Sequence, residues 1–384
     1  MNIGFDAKRA FFNATGLGAY SRAALRAVQR QLPDAKLFLY CPKKPVPGGA
    51  FSLSGNTVFR TPRTRVLEAL HPLWRSLFLS SEIGRDALDI YHGLTNELPW
   101  GIEKTRTRSV VTIHDLIFLR YPETYPFVDR KVYAAKCRHA VRVASCVVAD
   151  SRQTRDDLCA FLNCDPEKIR VVYPSVDPAY FVPLSEEAIT EVRGRYGLSG
   201  QYILSVGSIT RRKNLFSLVK AVERVRASVP MSLVVCGSGS GSYFSSVKSY
   251  ITGKKLEASV VFLGHADPCD LPALYQGASV FAYPSVFEGF GLPIAEALAS
   301  RVPVITSRGS CFSEAGGAAS LYVAPFDDSA LANALERILS NAALRKSMID
   351  QGALHGQKFT EEVLGSELAR IYGLLVNATG RKDV

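Results

Sequence analysis

The sequence predicts an α/β chain of two Rossmann-like domains whose parallel sheets face a central cleft. Three observations carry this reading. The chain has 384 residues, more than one domain of about 150 residues holds. Hydrophobic residues make up 47% and charged residues 21%, values of a folded globular chain that exclude a disordered one. Short β-branched runs alternate with helical periodicity throughout, the pattern of parallel strands covered on both faces.

In the first half, strands are expected at 2–5, 36–40, 90–92, 109–113, 146–149 and 169–172, with helices at 19–31, 125–144 and 151–162. In the second half, strands are expected at 202–206, 232–236, 260–262, 280–283, 304–306 and 319–323, with helices at 215–227, 242–252, 268–277, 294–299, 329–339 and 342–351. Turn residues cluster from Pro174 to Gln201, around Pro178, Pro183, Gly197 and Gly200, and mark a linker. The domains are therefore set at 1–178 and 179–358. A last helix, 359–384 with its tail, is expected to pack back on the first domain.

Several classes are excluded. The 29 Gly and 20 Pro follow no period, so the chain is neither collagen-like nor a solenoid. No stretch of about 18 apolar residues predicts a membrane span. Asp6, Lys8 and Arg9 follow Met1 with no apolar run, so no secretion signal is read, and Asn13-Ala14-Thr15 and Asn377-Ala378-Thr379 are taken as chance glycosylation patterns. The eight cysteines form no C-x-x-C pair and read as reduced thiols of a cytoplasmic protein. No zinc-type His/Glu spacing and no Asp-x-Asp pair after a strand appears, so no metal is expected.

The formal charge is +11, and its position is informative. Residues 1–180 hold 26 basic and 17 acidic side chains, a net +9, and the remainder is nearly neutral at +2. The first domain is thus expected to meet an anionic partner such as a membrane surface. Val66, Leu67 and Leu70 lead through Pro72 into Leu73, Trp74, Leu77, Phe78 and Leu79, bordered by Arg63, Arg65 and Arg75. That pattern fits a helix lying on a membrane surface, and equally an amphipathic helix docked on a sheet. Nucleic acid is not expected, because no RNP aromatics, KH loop or zinc finger accompany the charge.

Four segments could carry chemistry. In the first, a strand ends at Pro284, a loop holds Glu288, Gly289, Phe290 and Gly291, and a helix opens at Leu292 and Pro293. The glycines admit a ligand close to the backbone, and the helix start offers free N–H groups to a phosphate or diphosphate. Glu288 and Glu296, seven residues between them, are acceptors for sugar hydroxyls, though a surface Glu and a capping Glu would look the same. In the second, a strand runs through Gly207 and Ser208 to Arg211, Arg212 and Lys213, cations fit to neutralise a leaving diphosphate, or else a solvated turn. In the third, Gly16 and Gly18 open the first helix. Ser21 stands where a dinucleotide fingerprint needs its third glycine, so a first-domain NAD site is disfavoured. In the fourth, His114 and Asp115 end one strand and His92 another, as site residues or polar caps. The run Gly237–Gly241 has Gly239 where a hydrolase elbow needs serine, and reads as a flexible loop.

Over nearly its whole length the chain resembles the retaining glycosyltransferases of family 4, with the GT-B fold. Phe287 to Ala297 carries the family's E-x7-E motif, Gly207 to Asn214 its basic donor motif, and Thr112–Asp115, Ala149–Thr154 and Val172–Asp177 are typical of the first domain and its end. The resemblance implies that Arg212 and Lys213 hold the nucleotide diphosphate and that Glu288 contacts the hexose. The amides of Gly289, Phe290, Gly291 and Leu292 would meet the diphosphate and Glu296 the ribose. His114 would lie near the transferred sugar, with Gly16, Gly18, Gly207 and Ser208 also on the donor side. It implies no metal and no cofactor beyond the nucleotide sugar, GDP-mannose first and UDP-glucose-type donors next, with a glycan or lipid-diphosphate-linked acceptor. Two departures are noted. Ser208 replaces a frequent Arg, and Arg301 stands where glycine is frequent. The alternatives are a sugar-nucleotide epimerase on the same fold, or a non-catalytic nucleotide-sugar-binding or scaffolding subunit.

Overall fold

The structure is a computed structural model describing residues 1–377 except 14, 46–50, 52, 54, 63, 65–67, 71–72 and 229–230. Arg63, Arg65, Val66, Leu67 and Pro72, and Ala14, Ala378 and Thr379, therefore lie outside the described residues. The chain forms two compact units, Met1–Ser175 with Glu361–Val384, and Val176–Thr360.

The first unit is a seven-stranded parallel sheet. Its strands are β1 (Asn2–Asp6), β2 (Lys36–Tyr40), β3 (Thr57–Arg60), β4 (Ile90–Gly93), β5 (Arg108–Ile113), β6 (Cys146–Ala149) and β7 (Ile169–Val171), in the order β3-β2-β1-β4-β5-β6-β7. The edge strand β3 escapes the sequence reading because it is half-exposed and short, so no continuous apolar run marks it. The helix Glu361–Asn377 packs on the helix Gly16–Gln31. At Gly365 an added Cβ would fall 2.7 Å from the Ala27 carbonyl oxygen, so the two backbones touch. Buried Glu361 pairs with Arg26 and with Arg30 at 2.8 Å.

The second unit repeats the plan with six parallel strands: β8 (Tyr202–Val206), β9 (Ser232–Cys236), β10 (Val260–Gly264), β11 (Val280–Tyr283), β12 (Val304–Ser307) and β13 (Leu321–Val323), in the order β10-β9-β8-β11-β12-β13. Leu218, Val219 and Val222 of the amphipathic helix Leu215–Val225 fill its core with Leu233, Val235 and Ile305. In both sheets the order reverses beside the first strand. Ligands of such sheets bind there, at the carboxyl ends of the strands.

Three local expectations are corrected. The segment read as linker holds the helix Glu186–Arg195. Ser185 Oγ caps it by accepting from Ala188 N–H at 3.3 Å, with Glu186 and Glu187 in the first turn and Arg193 and Arg195 in the last. Both charge sets suit the helix dipole, and this was the legible signal. The glycine run after β9 is not free either. Ile209 N–H donates to Ser238 O at 2.8 Å and Gly237 N–H to Gly264 O at 2.7 Å. Third, Trp74 is wholly buried and donates Nε1–H to Glu82 at 3.0 Å, while Arg75 turns inward to Asp6 and Glu97. Neither belongs to an exposed membrane face, although Leu73, Leu77 and Phe78 are exposed. No helix among the described residues is long and apolar enough to cross a membrane.

Arg301 adopts φ +61°, the left-handed region, just after the helix Leu292–Ala299. Its Cβ is disfavoured there, and its 3.5 Å pair with Asp350 is exposed. Arg301→Gly should raise unfolding stability by about 0.5–1 kcal/mol. A urea melt with an unchanged or lower midpoint would contradict this.

Candidate active site

Strands β8 and β11 are neighbours, pairing at Val280–Ile203 and Phe281–Leu204. The loops that follow them therefore emerge side by side. Three contacts staple the loops together. Val286 N–H donates to Arg212 O at 2.8 Å, Asn214 Nδ2 to Pro284 O at 3.2 Å, and Arg212 Nη1 to Phe287 O at 2.5 Å. Asn214 takes φ +55° to make the turn into its helix.

This arrangement gathers four donors on one oxygen of buried Glu288. Arg212 Nη1 and Lys213 Nζ each lie 2.7 Å from Oε1, Ser285 Oγ 2.6 Å and Tyr283 Oη 3.1 Å. Lys213 also donates to Tyr283 Oη and sits 4.8 Å from that ring's centroid. The main chain of Glu288 is clamped in turn. Ser310 Oγ accepts from its N–H at 3.3 Å, and Cys311 Sγ donates to its carbonyl at 3.3 Å. Burial works against ionising Glu288, yet Lys213 and Arg212 outweigh it and hold the carboxyl at about 2. Burial lowers the Lys213 ammonium, and the Glu288 charge opposes that shift. Tyr283, Ser285, Ser310 and Cys311 were not singled out from sequence. Tyr283 and Ser285 lie within the motif as strand-end residues, but Ser310 and Cys311 come from beyond β12 and leave no local signal.

Gly207 takes φ +142°, and an added Cβ on Gly237 would fall 2.0 Å from the Gly207 carbonyl oxygen. The glycine run after β9 thus forms the floor under the Gly207–Ser208 turn, whose Ser208 is exposed. Gly291, at φ +94°, turns the chain into the helix Leu292–Ala299. Pro293 lies in its first turn, and no side chain among the described residues caps it.

Glu296 is half-buried on that helix and accepts from Tyr275 Oη–H at 2.9 Å. Burial raises its carboxyl from 4.5 to about 7, the Tyr275 bond opposes the rise, and the Asp177 charge adds to it. Between those values the folded chain keeps a proton that the unfolded chain has released. The associated stabilisation is complete at low pH and lost as pH rises through about 7. Between pH 5 and 7.5 the parent should lose about 2 kcal/mol relative to Glu296→Gln. Urea melts at the two pH values measure this, and a constant difference would refute it.

The first unit holds the remaining predicted residues. His114 is buried, with Nδ1 2.7 Å from Asp150 Oδ2 and Nε2 2.9 Å from the Leu94 carbonyl oxygen. Both partners are acceptors, so both ring nitrogens donate and the imidazole is a cation. Burial opposes that charge, but Asp150 wins and raises the pKa. His92 has the opposite fate. It lies between Tyr372 Oη at 2.6 Å and Thr112 Oγ1 at 2.8 Å, and burial with the nearby His114 charge lowers it to about 3. It is a neutral core residue that ties β4 to the last helix. Gly18 N–H is already bound, to Thr15 O at 2.9 Å and Asn13 Oδ1 at 3.2 Å, and its Cβ would strike Asn13 O at 1.9 Å. Nothing lies within 4 Å of a Cβ added at Gly16. Leu17, His114 and Asp115 line a cavity of about 430 Å³ with Lys8, Arg9, Phe118, Tyr125 and Tyr133. No group of three or more His, Cys, Asp or Glu fit to hold a metal exists among the described residues.

Two successive Rossmann-like sheets define a GT-B protein, and the solved structures agree. Sucrose-phosphate synthase from Thermosynechococcus elongatus superposes with TM-score 0.77 at 21% identity, over 98% of this chain and 100% of its own. WaaG, a glycosyltransferase involved in lipopolysaccharide biosynthesis, does so with TM-score 0.71 at 16% identity, over 97% and 99%. Residues 16–180 match the model of Glycosyltransferase Family 4 and residues 192–355 that of Glycosyl transferases group 1, and the chain belongs to this glycosyltransferase family. Among its relatives, O-antigen chain mannosyltransferase B of Escherichia coli is 29% identical over 98% of this chain and 100% of its own length. O-antigen chain mannosyltransferase RfbU of Salmonella typhimurium is 30% identical over 59% of this chain and 60% of its own.

Proposed function

We propose that the protein is a retaining hexosyltransferase. It moves mannose from GDP-mannose, as the first-choice donor, to a glycan or lipid-diphosphate-linked acceptor in surface polysaccharide biosynthesis. The observation that carries this reading is the convergence of Arg212 and Lys213 on Glu288 where β8 and β11 end. An incoming diphosphate offers both cations a second anionic partner, and the Glu288 carboxylate accepts hydroxyls of the hexose. In this reading main-chain amides of the stretch Gly289–Leu292 meet the diphosphate, and Glu296 takes the ribose.

A carboxylate held at about 2 is a weak base and a weak nucleophile. His114, with both nitrogens donating, supplies no base either. The proton of the acceptor hydroxyl therefore passes to the leaving diphosphate oxygen. The new C–O bond forms on the face from which the old one breaks, and configuration is retained. Arg212 and Lys213 stabilise the diphosphate as it leaves. No metal is required, so a chelator leaves transfer unchanged. We assign the acceptor to the 430 Å³ cavity of the first unit, whose Lys8 and Arg9 suit a diphosphate and whose Phe118, Tyr125 and Tyr133 suit a sugar or lipid. The location is cytoplasmic and peripheral, with exposed Leu73, Leu77, Phe78, Phe127 and Val128 against an anionic membrane. The E. coli and Salmonella relatives, named for O-antigen mannosyl transfer, support the choice of sugar and pathway.

A thermal-shift series with nucleoside diphosphates tests the donor. GDP should raise the melting temperature and UDP should not; the reverse would replace GDP-mannose by a UDP-sugar.

A further inference from the structure

A second cavity of about 660 Å³ lies in the first unit, and none of its lining residues borders the cavity around His114. It is bounded by the second half of the helix Phe127–Val143, by the turn after the helix Arg152–Leu162, and by Trp100. Arg142 and Lys168 precede β6 and β7, whereas His114 and Asp150 follow β5 and β6. This cavity therefore reaches the opposite ends of the strands.

Its composition is specific. Trp100 is 40% exposed. Its indole stacks on His139 with centroids 3.7 Å apart and planes 19° from parallel, which holds it as a flat plate at the cavity wall. His139 is buried, and its Nδ1 has no hydrogen-bond partner. Arg138 and Arg142, both exposed, lie one helical turn apart, where like charges repel. Lys168 adds a third cation, its ammonium donating to the carbonyls of Val141 and Arg142 at 3.2 Å. None of the three makes an ion pair among the described residues. Asn163 and Asp165 complete the wall with hydroxyl-binding groups.

We propose that this cavity binds an acidic sugar residue of a glycan, at a site separate from the one that transfers the hexose. The apolar face of a pyranose lies on the Trp100 plate. Its carboxylate or phosphate meets the guanidinium forks of Arg138 and Arg142, which match that geometry and lose their mutual repulsion. Asp165 would repel a bare anion but accepts hydroxyls, so it selects a charged sugar over a simple phosphate. The volume lies within the range of small-molecule sites. The site needs no donor and does not depend on the hexose transferred.

Only two tryptophans exist, and Trp74 is buried, so intrinsic fluorescence reads the cavity through Trp100. The full chain is titrated with a hyaluronan tetrasaccharide (carboxylate), mannose 6-phosphate (phosphate) and neutral cellotetraose. A saturable change is expected with the tetrasaccharide or the phosphosugar, the responding one naming the anion, and not with cellotetraose. Trp100→Phe should abolish the signal. Arg138→Ala/Arg142→Ala should weaken binding at least tenfold while its circular dichroism stays that of the parent. No saturable change with either charged sugar, an equal response to cellotetraose, or undiminished binding by the double variant would each overturn the proposal. So would displacement of the charged sugar by GDP, which would make this a nucleotide site.

Discussion

Lys213→Ala is expected to lower the turnover of hexosyl transfer about 10²–10³-fold, the loss typical of one preorganised charge removed from a developing anion. Lys213 stands 2.7 Å from Glu288 in a buried setting, where a charge acts far more strongly than in water. Its removal leaves Glu288 with Arg212, Ser285 and Tyr283, so the carboxylate keeps partners and the unit stays folded. In the proposed mechanism the diphosphate gains charge as it leaves, so the deficit should fall mainly on kcat. Steady-state kinetics with GDP-mannose and a mannan acceptor would measure it. Turnover within threefold of the parent would remove Lys213 from the mechanism.

Glu288→Ala should act on stability as well as on rate. The carboxylate is the shared partner of two cations, and deleting one side of a buried pair costs about 3–5 kcal/mol when the other stays charged. Two features soften that cost. Lys213 is already easier to deprotonate through burial, and the Arg212 guanidinium is partly in contact with solvent and bound to the Phe287 carbonyl. A loss of about 2–3 kcal/mol is expected, within the stability of an ordinary domain. Transfer should fall about 10²-fold or more, since in the proposed role of Glu288 the hexose loses a hydrogen-bond acceptor as the cations lose their anchor. Glu288→Gln keeps the shape and two of the hydrogen bonds but not the charge, and should be milder in stability than in rate. Urea melts beside transfer assays separate the two. Near-parental transfer by both variants would discard the proposed role of Glu288.

Much of this was legible in the chain itself. The alternation of β-branched runs with 3.6-residue periodicity is local, and twelve of the thirteen strands fall within two residues of the expected bounds. The largest shifts are two residues, at the end of β10 and the start of β13, and β3 lacks the apolar run that would reveal it. The loop from Tyr283 to Gly291 and the run from Gly207 to Asn214 were likewise readable, because glycines and adjacent charges between a strand and a helix have few structural uses. Trp74 and Arg75 show the limit. Their spacing fits an amphipathic surface helix, and only packing turns the indole into the core and the guanidinium onto Asp6 and Glu97.

The sequence by itself determined the fold class, two parallel sheets with helices, and marked the segments to which the chemistry is assigned in the proposed function. Periodicity and turn chemistry act over neighbouring residues, so they survive without tertiary contacts. Only the tertiary structure decided that Oε1 of Glu288 gathers Arg212, Lys213, Tyr283 and Ser285, because residues some 75 positions apart meet through the pairing of β8 with β11. It also decided protonation. His92 and His114 both end strands and look alike in sequence. One lies between two hydroxyls and stays neutral, and the other lies between a carboxylate and a carbonyl and carries a charge. The partners of a buried ring come from distant strands, and they set its charge.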